Sequence, residues 1–240
     1  MIDFEQDHAI GHLTLNRPEK LNALNEDAWR ELPAILERAG RDRTVKVLVI
    51  SGAGRCFSAG ADIGTFSKLT DDGEVYEFIT AINAAMRAVE EFSKPVISAV
   101  HGFAYGGGCE LTMMSDIVVA DETARFALPE IKSGIMPGPG LVRGTSHASL
   151  HVLKYLALTG ESLSAEEAQR SGLVNRLVKP GEHRAEADRL AGIVTQYSSV
   201  ALSEAKRYLN GQVPSQFDYV TASLSFLFGT QEAHQGASKY

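Results

Sequence analysis

The stretch of residues 98–111 most constrains what this chain can fold into, because an apolar segment there runs into three consecutive glycines at positions 106–108. The apolar part is typical of a strand, and the residues from Cys109 and Glu110 onward predict a helix. Glycines let the backbone approach a ligand or another segment closely, since no side chain intervenes. The unpaired N–H groups of a first helical turn favour a negatively charged oxygen. Tight packing alone explains such a turn equally well, with Glu110 as a partner of the helix dipole.

The charge balance and the cysteine content exclude several classes of protein. The 240 residues include 23 basic and 30 acidic side chains, without a basic run, so no nucleic-acid partner is expected. Two cysteines without a CxxC pair, Cys56 and Cys109, predict neither a disulfide framework nor a metal site. The sequence has no signal-peptide pattern and no apolar run long enough to cross a bilayer. A cytoplasmic protein that does not contact membranes is therefore expected.

Periodicity predicts alternating strands and helices in the first two thirds of the chain, which indicates an α/β core. Strands are predicted at residues 1–5, 10–15, 45–50, 95–100, 116–120, 125–128 and 173–178. Helices are predicted at residues 26–39, with Asn25 as the N-cap, and at 74–92, 109–114, 148–158, 164–170, 181–196, 199–209 and 214–228. Residues 64–73 are predicted to form a mobile polar loop, and 134–140 a loop of fixed geometry. A boundary near residue 195 divides a core, 1–195, from a helical region, 196–240.

Several motifs together resemble the crotonase (enoyl-CoA hydratase/isomerase) superfamily. They are residues 16–24, 57–63, 98–114 and 126–130, followed by Thr159-Gly160 and the 165–172 helix. Each motif is weakly specific, but their order and spacing cover nearly the whole chain. The resemblance implies a spiral of repeated ββα units whose C-terminal helical region, 196–240, packs in a homotrimer or a dimer of trimers.

The resemblance also implies an acyl-coenzyme A thioester as substrate, with no cofactor beyond the coenzyme A that the substrate carries. The backbone N–H groups of Ala61 and Gly107 would stabilise a thioester enolate between them. The residues implied in coenzyme binding are Lys20 and Leu21 beside the nucleotide, and the main chain of Ala59 and Ile63, with Asp62, at the adenine end. The alternative for Lys20 is a solvated lysine of a loop.

Hydratases of this family use two glutamates, and Glu110 and Glu130 fall at both matching positions. The resemblance makes Glu110 the base that deprotonates the water attacking C3, and Glu130 the acid that delivers a proton to C2. Two carboxyl groups in one apolar cleft would titrate as a unit, with one pKa raised. Without the resemblance, Glu130 is an ordinary first-turn glutamate after Pro129.

Other interpretations remain open from the residues. Cys109 could be the nucleophile of a hydrolase, although a small buried thiol is the more common case. His101 ends an apolar strand and is interpreted as structural. An isomerase that moves a Δ3 double bond to Δ2 with Glu130 alone is a second candidate function. A non-catalytic acyl-CoA-binding subunit is a third.

Two segments depart from the family pattern. Hydratases usually carry a second glycine and Thr-Gln-Arg where this chain has residues 140–145, Gly-Leu-Val-Arg-Gly-Thr. That region lines the acyl pocket in the family, so the departure bears on the choice of substrate. Residues 231–240 resemble the start of the final helix, and the basic residues that help hold the coenzyme phosphates do not follow. This implies a trimmed chain or a partner subunit that supplies them.

Overall fold

The computed structural model describes residues 1–66, 71–211, 220, 222–224 and 226. The strands are β1 Ile2–Asp7, β2 Ile10–Leu15, β3 Val47–Gly52, β4 Val96–Val100, β5 Phe103–Tyr105, β6 Ile117–Asp121, β7 Arg125–Ala127, β8 Ser162–Ser164 and β9 Arg176–Val178. The α-helices are α1 Glu26–Arg41, α2 Ile63–Phe66, α3 Asp72–Glu90, α4 Gly107–Met114, α5 Gly140–His147, α6 Leu150–Thr159, α7 Ala165–Ser171, α8 His183–Val194 and α9 Ser199–Leu209. Two 3₁₀ helices, Pro18–Lys20 and Pro129–Ser133, lie in connecting segments.

Two sheets organise the described part of the chain. The larger has the order β1-β2-β3-β4-β6-β9, in which β1 and β2 are antiparallel and the other pairs are parallel. The smaller has the order β5-β7-β8. The chain passes twice from the larger sheet to the smaller and then into a helix, once through β4, β5 and α4, and again through β6 and β7. The predicted α/β fold of repeated ββα units is confirmed.

The central strands of the larger sheet are buried on both faces. All five residues of β4 are buried, as are the first five of β3, which suits parallel strands covered by helices on either side. On one face α1 and α3 contribute the large side chains Trp29, Phe78 and Met86 to the main core. On the other face the alanines of α8 pack against alternate residues of the strands. Both layers hold the ends of β3 and β4 in fixed positions, and the glycine-rich segments follow these ends.

Most predicted elements are confirmed, with boundaries shifted by a few residues. Asn25 caps α1 as predicted, because its side-chain oxygen accepts a hydrogen bond from Ala28 N at 3.0 Å. The predicted helix 199–209 agrees with α9 in both boundaries. The predicted helix 214–228, apart from isolated positions, and the segment 231–240 lie outside the described residues. The domain boundary near residue 195 stays a prediction.

Three local predictions are wrong. The loop predicted at 64–73 overlaps α2 and the start of α3, where Asp71 accepts a hydrogen bond from Glu74 N; residues 67–70 lie outside the described residues. Helix α4 begins two residues early, at Gly107, since Gly106 takes a φ of 52° that favours glycine and starts the turn. Residues 140–147 form helix α5, whereas the sequence predicted a loop up to Gly140 and no element from there to His147.

A buried asparagine fixes the segment that follows β3. The side-chain nitrogen of Asn22 donates to the carbonyl oxygens of Ala53, Cys56 and Phe57 at 2.8, 2.8 and 3.1 Å. Asn22 is 1% exposed and has a φ of 55°. Its own carbonyl accepts a hydrogen bond from Ser58 Oγ at 2.9 Å. Asn22 therefore connects the N-terminal loop to the turn that leads to Gly60 and Ala61.

We expect Asn22→Ala to lower the free energy of unfolding by about 2–4 kcal/mol, because it leaves three carbonyl groups without their donor in the core. Urea denaturation measures this change. The matched control is Asn16→Ala, since Asn16 is exposed and its side chain donates to Asp3. The control is expected to cost less than about 0.5 kcal/mol. Equal losses in the two variants would contradict the assigned role of Asn22.

Candidate active site

Residues 60–62 pair with Leu24 in the manner of neighbouring strands, and the N–H group of Ala61 points away from this pairing. Leu24 N donates to Gly60 O at 2.8 Å, and Asp62 N donates to Leu24 O at 2.9 Å. In extended backbone the groups of successive residues point in opposite directions, so the N–H of Ala61 faces away from Leu24. Among the described residues no group accepts a hydrogen bond from it.

The N–H group of Gly107 is free for a different reason. Gly107 is the first residue of α4, where an N–H has no acceptor one turn earlier in the helix. The preceding residue, Gly106, has both of its backbone groups hydrogen-bonded. Its N donates to Ala127 O and its O accepts from Glu110 N, both at 2.9 Å. The structure describes no acceptor for Gly107 N among residues 1–66 and 71–211.

The two free N–H groups lie close together. A Cβ atom at Gly60 would lie only 2.8 Å from Gly107 N, and one at Gly107 would lie 3.6 Å from Ala61 N. Gly60 has a φ of 93°, which side-chain-bearing residues rarely adopt. Two glycines thus allow the loop after β3 to pack directly on the start of α4. The result is a pair of neighbouring unpaired N–H donors, groups of the kind that favour a negatively charged oxygen.

Glu110 projects from the first turn of α4 into a largely closed space. It is 4% exposed, and its Oε1 accepts a hydrogen bond from Gly140 N at 3.0 Å. Gly140 fits tightly, because a Cβ there would lie 2.5 Å from Glu110 Cβ. Burial and then the negative charge of Glu130 raise the pKa of Glu110 to about 7, although the Gly140 hydrogen bond acts in the opposite direction. Glu110 therefore changes its protonation state near neutral pH.

Glu130 approaches the same region from the 3₁₀ helix Pro129–Ser133. A Cβ atom at Gly106 would lie 2.7 Å from Glu130 Oε1, which places this carboxyl against the glycine turn. The other oxygen, Oε2, is buried and has no hydrogen-bond partner among the described residues. Burial raises the pKa of Glu130 above its usual value. Glu130 therefore brings a carboxyl oxygen without a hydrogen-bond partner to the glycine turn at the start of α4.

The residues predicted to bind coenzyme A lie around the same loop. Lys20 is exposed at the end of the first 3₁₀ helix, and Leu21 follows with a φ of 54°. Ala59 N donates to Leu21 O at 2.9 Å, so the two predicted segments are neighbours. Ile63 begins α2. The structure brings these positions together, and their contacts with a coenzyme stay a prediction.

Asp62 also has a structural role that the sequence did not reveal. Arg17 Nη1 donates to Asp62 Oδ2 at 2.5 Å, and Gly64 N donates to Asp62 Oδ1 at 2.9 Å. The hydrogen bond from Arg17 holds the pKa of Asp62 below its usual value. Asp62 thus fixes the start of α2 through an ion pair between segments 45 residues apart in sequence, which no local motif predicts.

The remaining candidates from the sequence have structural positions. Cys109 is fully buried, and burial raises the pKa of its thiol, which opposes a role as nucleophile. His101 Nε2 lies 2.9 Å from Gly54 O, and its ring stacks on His183 with the centroids 4.3 Å apart. His183 in turn contacts Asp121. These contacts agree with the structural interpretation of His101.

Sequence reasoning missed two residues of the site. Gly140 supplies the N–H that holds Glu110, and Trp29 lies against Gly107. Gly140 stands in a segment that departs from the family pattern, and Trp29 lies within the predicted helix 26–39, where the sequence does not distinguish it from other apolar residues. Among the described residues, no cluster of three or more His, Cys, Asp or Glu side chains is arranged to bind a metal. None of the described helices has the length and apolar character needed to cross a membrane.

Comparison with known proteins identifies the family of this chain. A family model for enoyl-CoA hydratase/isomerase matches residues 5–237. The short-chain-enoyl-CoA hydratase of Clostridium acetobutylicum is 36% identical over 228 residues, covering 94% of this chain and 87% of the relative. The 2,3-dehydroadipyl-CoA hydratase of Escherichia coli is 38% identical over 239 residues, covering 95% and 90%.

Solved structures of the same family have closely similar backbones. An enoyl-CoA hydratase from Mycobacterium smegmatis superposes with a TM-score of 0.94 at 26% identity, covering 99% of this chain and 94% of that one. The relatives named as hydratases confirm the prediction of an enzyme. The sequence match across the chain and the shared fold lead to one conclusion: this chain belongs to the enoyl-CoA hydratase/isomerase family, the crotonase superfamily.

Proposed function

We propose that this protein adds water across the 2,3 double bond of an enoyl-CoA thioester to give a 3-hydroxyacyl-CoA. The observation that carries this proposal is the pair of carboxyl groups, buried Glu110 and half-buried Glu130, beside two unpaired N–H donors. Hydration needs one group to take a proton from water and another to give a proton to carbon. Relatives named short-chain-enoyl-CoA hydratase and crotonyl-CoA hydratase support the same chemistry.

The thioester carbonyl oxygen is bound between the N–H groups of Ala61 and Gly107. Attack at C3 moves electron density onto this oxygen, and both donors become stronger partners as the enolate forms. One such donor contributes about 3 kcal/mol to transition-state stabilisation. The small residues on both sides allow the thioester to reach the donors. Exposed Lys20 and the backbone of Leu21 and Ala59 lie where the coenzyme would leave the site.

The two glutamates then move the protons. In the reacting form of the singly protonated pair, Glu130 carries the proton and Glu110 is ionised. Glu110 accepts a proton from water as the water oxygen bonds to C3, and Glu130 gives its proton to C2. The product gains H and OH, and the pair still holds one proton, now on Glu110. Exchange with solvent restores the starting state. Dehydration follows the same steps in reverse. A trimeric assembly, a cytoplasmic location and the absence of a further cofactor stay predictions.

The first test measures hydration of crotonyl-CoA by the loss of its enone absorbance. Glu110→Gln is expected to lower kcat by about 10²–10⁴-fold, because it removes the base while keeping an oxygen for the Gly140 hydrogen bond. Exposed Glu31, changed to Gln, is the matched control and keeps the wild-type rate. Saturation without turnover in the wild type would instead support a non-catalytic binding subunit. Full isomerisation of a Δ3-enoyl-CoA by Glu110→Gln, with no hydration in the wild type, would support the isomerase.

The pH dependence of kcat/KM is a second test. Only the singly protonated pair has both a base and an acid, so a bell-shaped profile is expected. Because the pKa of Glu110 is about 7 when Glu130 is charged, the alkaline limb is expected near pH 7. Steady-state rates from about pH 5 to about pH 9 measure both limbs. A rate that does not change over this range would contradict the paired mechanism.

Burial of Glu110 also predicts a cost in stability. Folding raises its pKa from 4.5 to about 7, so the folded state binds more protons in this window, and the free energy of unfolding falls as the pH rises through it. Glu110→Gln is expected to be about 2–4 kcal/mol more stable than the wild type at about pH 8 and nearly equal at about pH 4. Urea denaturation at the two pH values measures this. A stability difference that is independent of pH would contradict the raised pKa.

A further inference from the structure

The single tryptophan of this chain forms a wall beside the two N–H donors. Trp29 lies on α1 and is fully buried. A Cβ atom at Gly107 would lie 3.1 Å from its Cζ2 and 3.2 Å from its Cη2. The same Cβ position is 3.6 Å from Ala61 N. The edge of the indole ring therefore fills the space directly next to the place proposed for the thioester carbonyl.

Trp29 also borders a groove on the side away from Gly107. This groove runs between α1 and α3, has a volume of about 410 Å³, and has Pro33, Tyr76, Thr80 and Ala84 among its walls. Its size falls within the range of small-molecule pockets, and it is open to solvent, since Tyr76 is 74% exposed. Trp29 thus lies between the proposed thioester position and an open groove.

The hydrogen bonding of Trp29 does not explain the choice of this residue. Its Nε1 is buried and has no partner among the described residues. Burying an N–H without an acceptor costs stability, so the fold gains nothing from the polar atom of the ring. What the indole supplies at this position is its size and flat shape.

We propose that Trp29 determines acyl-chain specificity by closing the acyl site toward the groove between α1 and α3. This inference rests on the proposed function, because it takes the thioester to lie between Ala61 and Gly107. Short acyl groups fit within the closed site. A longer chain needs the volume that the indole occupies, and a smaller residue at position 29 opens the site into the groove.

The test compares binding of two saturated thioesters, butyryl-CoA and decanoyl-CoA, by isothermal titration calorimetry, so that no turnover is required. Trp29→Ala is expected to raise the affinity for decanoyl-CoA relative to butyryl-CoA by at least about tenfold. Trp29→Phe, which keeps an aromatic wall, is the matched control and is expected to keep the wild-type ratio. A ratio within about twofold of the wild type in Trp29→Ala would overturn the inference. If Trp29→Ala does not fold, Trp29→Leu takes its place under the same criterion.

A second variant tests where the longer chain goes. Ala84 is exposed in the groove, and Ala84→Phe fills it from the far side. Added to Trp29→Ala, it is expected to abolish the gain for decanoyl-CoA, whereas alone it leaves both affinities unchanged. Persistence of the full gain in the double variant would overturn the route through the groove. If the wild type binds neither thioester, the proposed function itself fails, and this outcome is distinct from an unchanged ratio.

The wild type gives an independent measurement. Because Trp29 is the only tryptophan, the intrinsic indole fluorescence comes from this position alone. Saturation with butyryl-CoA is expected to change its intensity or emission maximum, since the thioester would lie against the ring wall. Calorimetric binding without a change in fluorescence would overturn the contact on which the inference rests.

Discussion

The close approach of Gly60 to Gly107 is the contact on which the rest of the site depends. A side chain at position 60 would clash with Tyr105 O, at 2.6 Å, as well as with Gly107 N. Without a side chain there, the loop after β3 reaches the start of α4, and two N–H groups that the fold leaves unpaired come together. The parallel strands β3 and β4 hold both segments in place, so the positions of the two N–H groups are set by the fold itself.

The surroundings of the acidic pair come from elements that are distant in sequence. Glu110 belongs to α4, its hydrogen-bond donor Gly140 to α5, and Glu130 to the segment between them. Helix α5 is itself fixed by Arg143, whose guanidinium lies 3.1 Å from Glu90 Oε1 and donates to Asn210 Oδ1 at 2.8 Å. The segment that departs from the usual family pattern therefore still has a defined position. The N–H of Gly140, the first residue of α5, reaches Glu110 even though the residues after Gly140 differ from the family pattern.

The sequence predicted the segments of the candidate site better than it predicted the residues that pack against them. Ala61, Gly107, Glu110 and Glu130 stand in motifs whose order can be read along the chain, and the structure brings all four to one region. Asn22 and Trp29 contact residues that are distant in sequence. Their burial depends on tertiary packing, which the periodicity of the sequence does not reveal.

Short strands and one glycine-containing helix were also not predicted from the sequence. Strands β5 and β8 have three residues each, too few for an alternating pattern to be distinguished from a loop. Helix α5 contains two glycines and follows two prolines, so its composition did not indicate a helix. It forms because Gly140 and Gly144 pack closely, the first against Glu110 and the second against Leu153 and Met113. Close packing of this kind between distant segments outweighs local helix propensity.

The neighbours Cys109 and Glu110 illustrate how position within one helical turn decides the chemistry. Successive residues of an α-helix point about 100° apart, so the two side chains of α4 face different surroundings. Cys109 enters the apolar core, where a thiolate would have no partner and its formation is disfavoured. Glu110 faces Gly138 and Gly140, where a backbone N–H stabilises its ionised form against the cost of burial. Burial raises both pKa values, but only the carboxyl stays within reach of neutral pH, and this favours acid–base chemistry over nucleophilic chemistry at this turn.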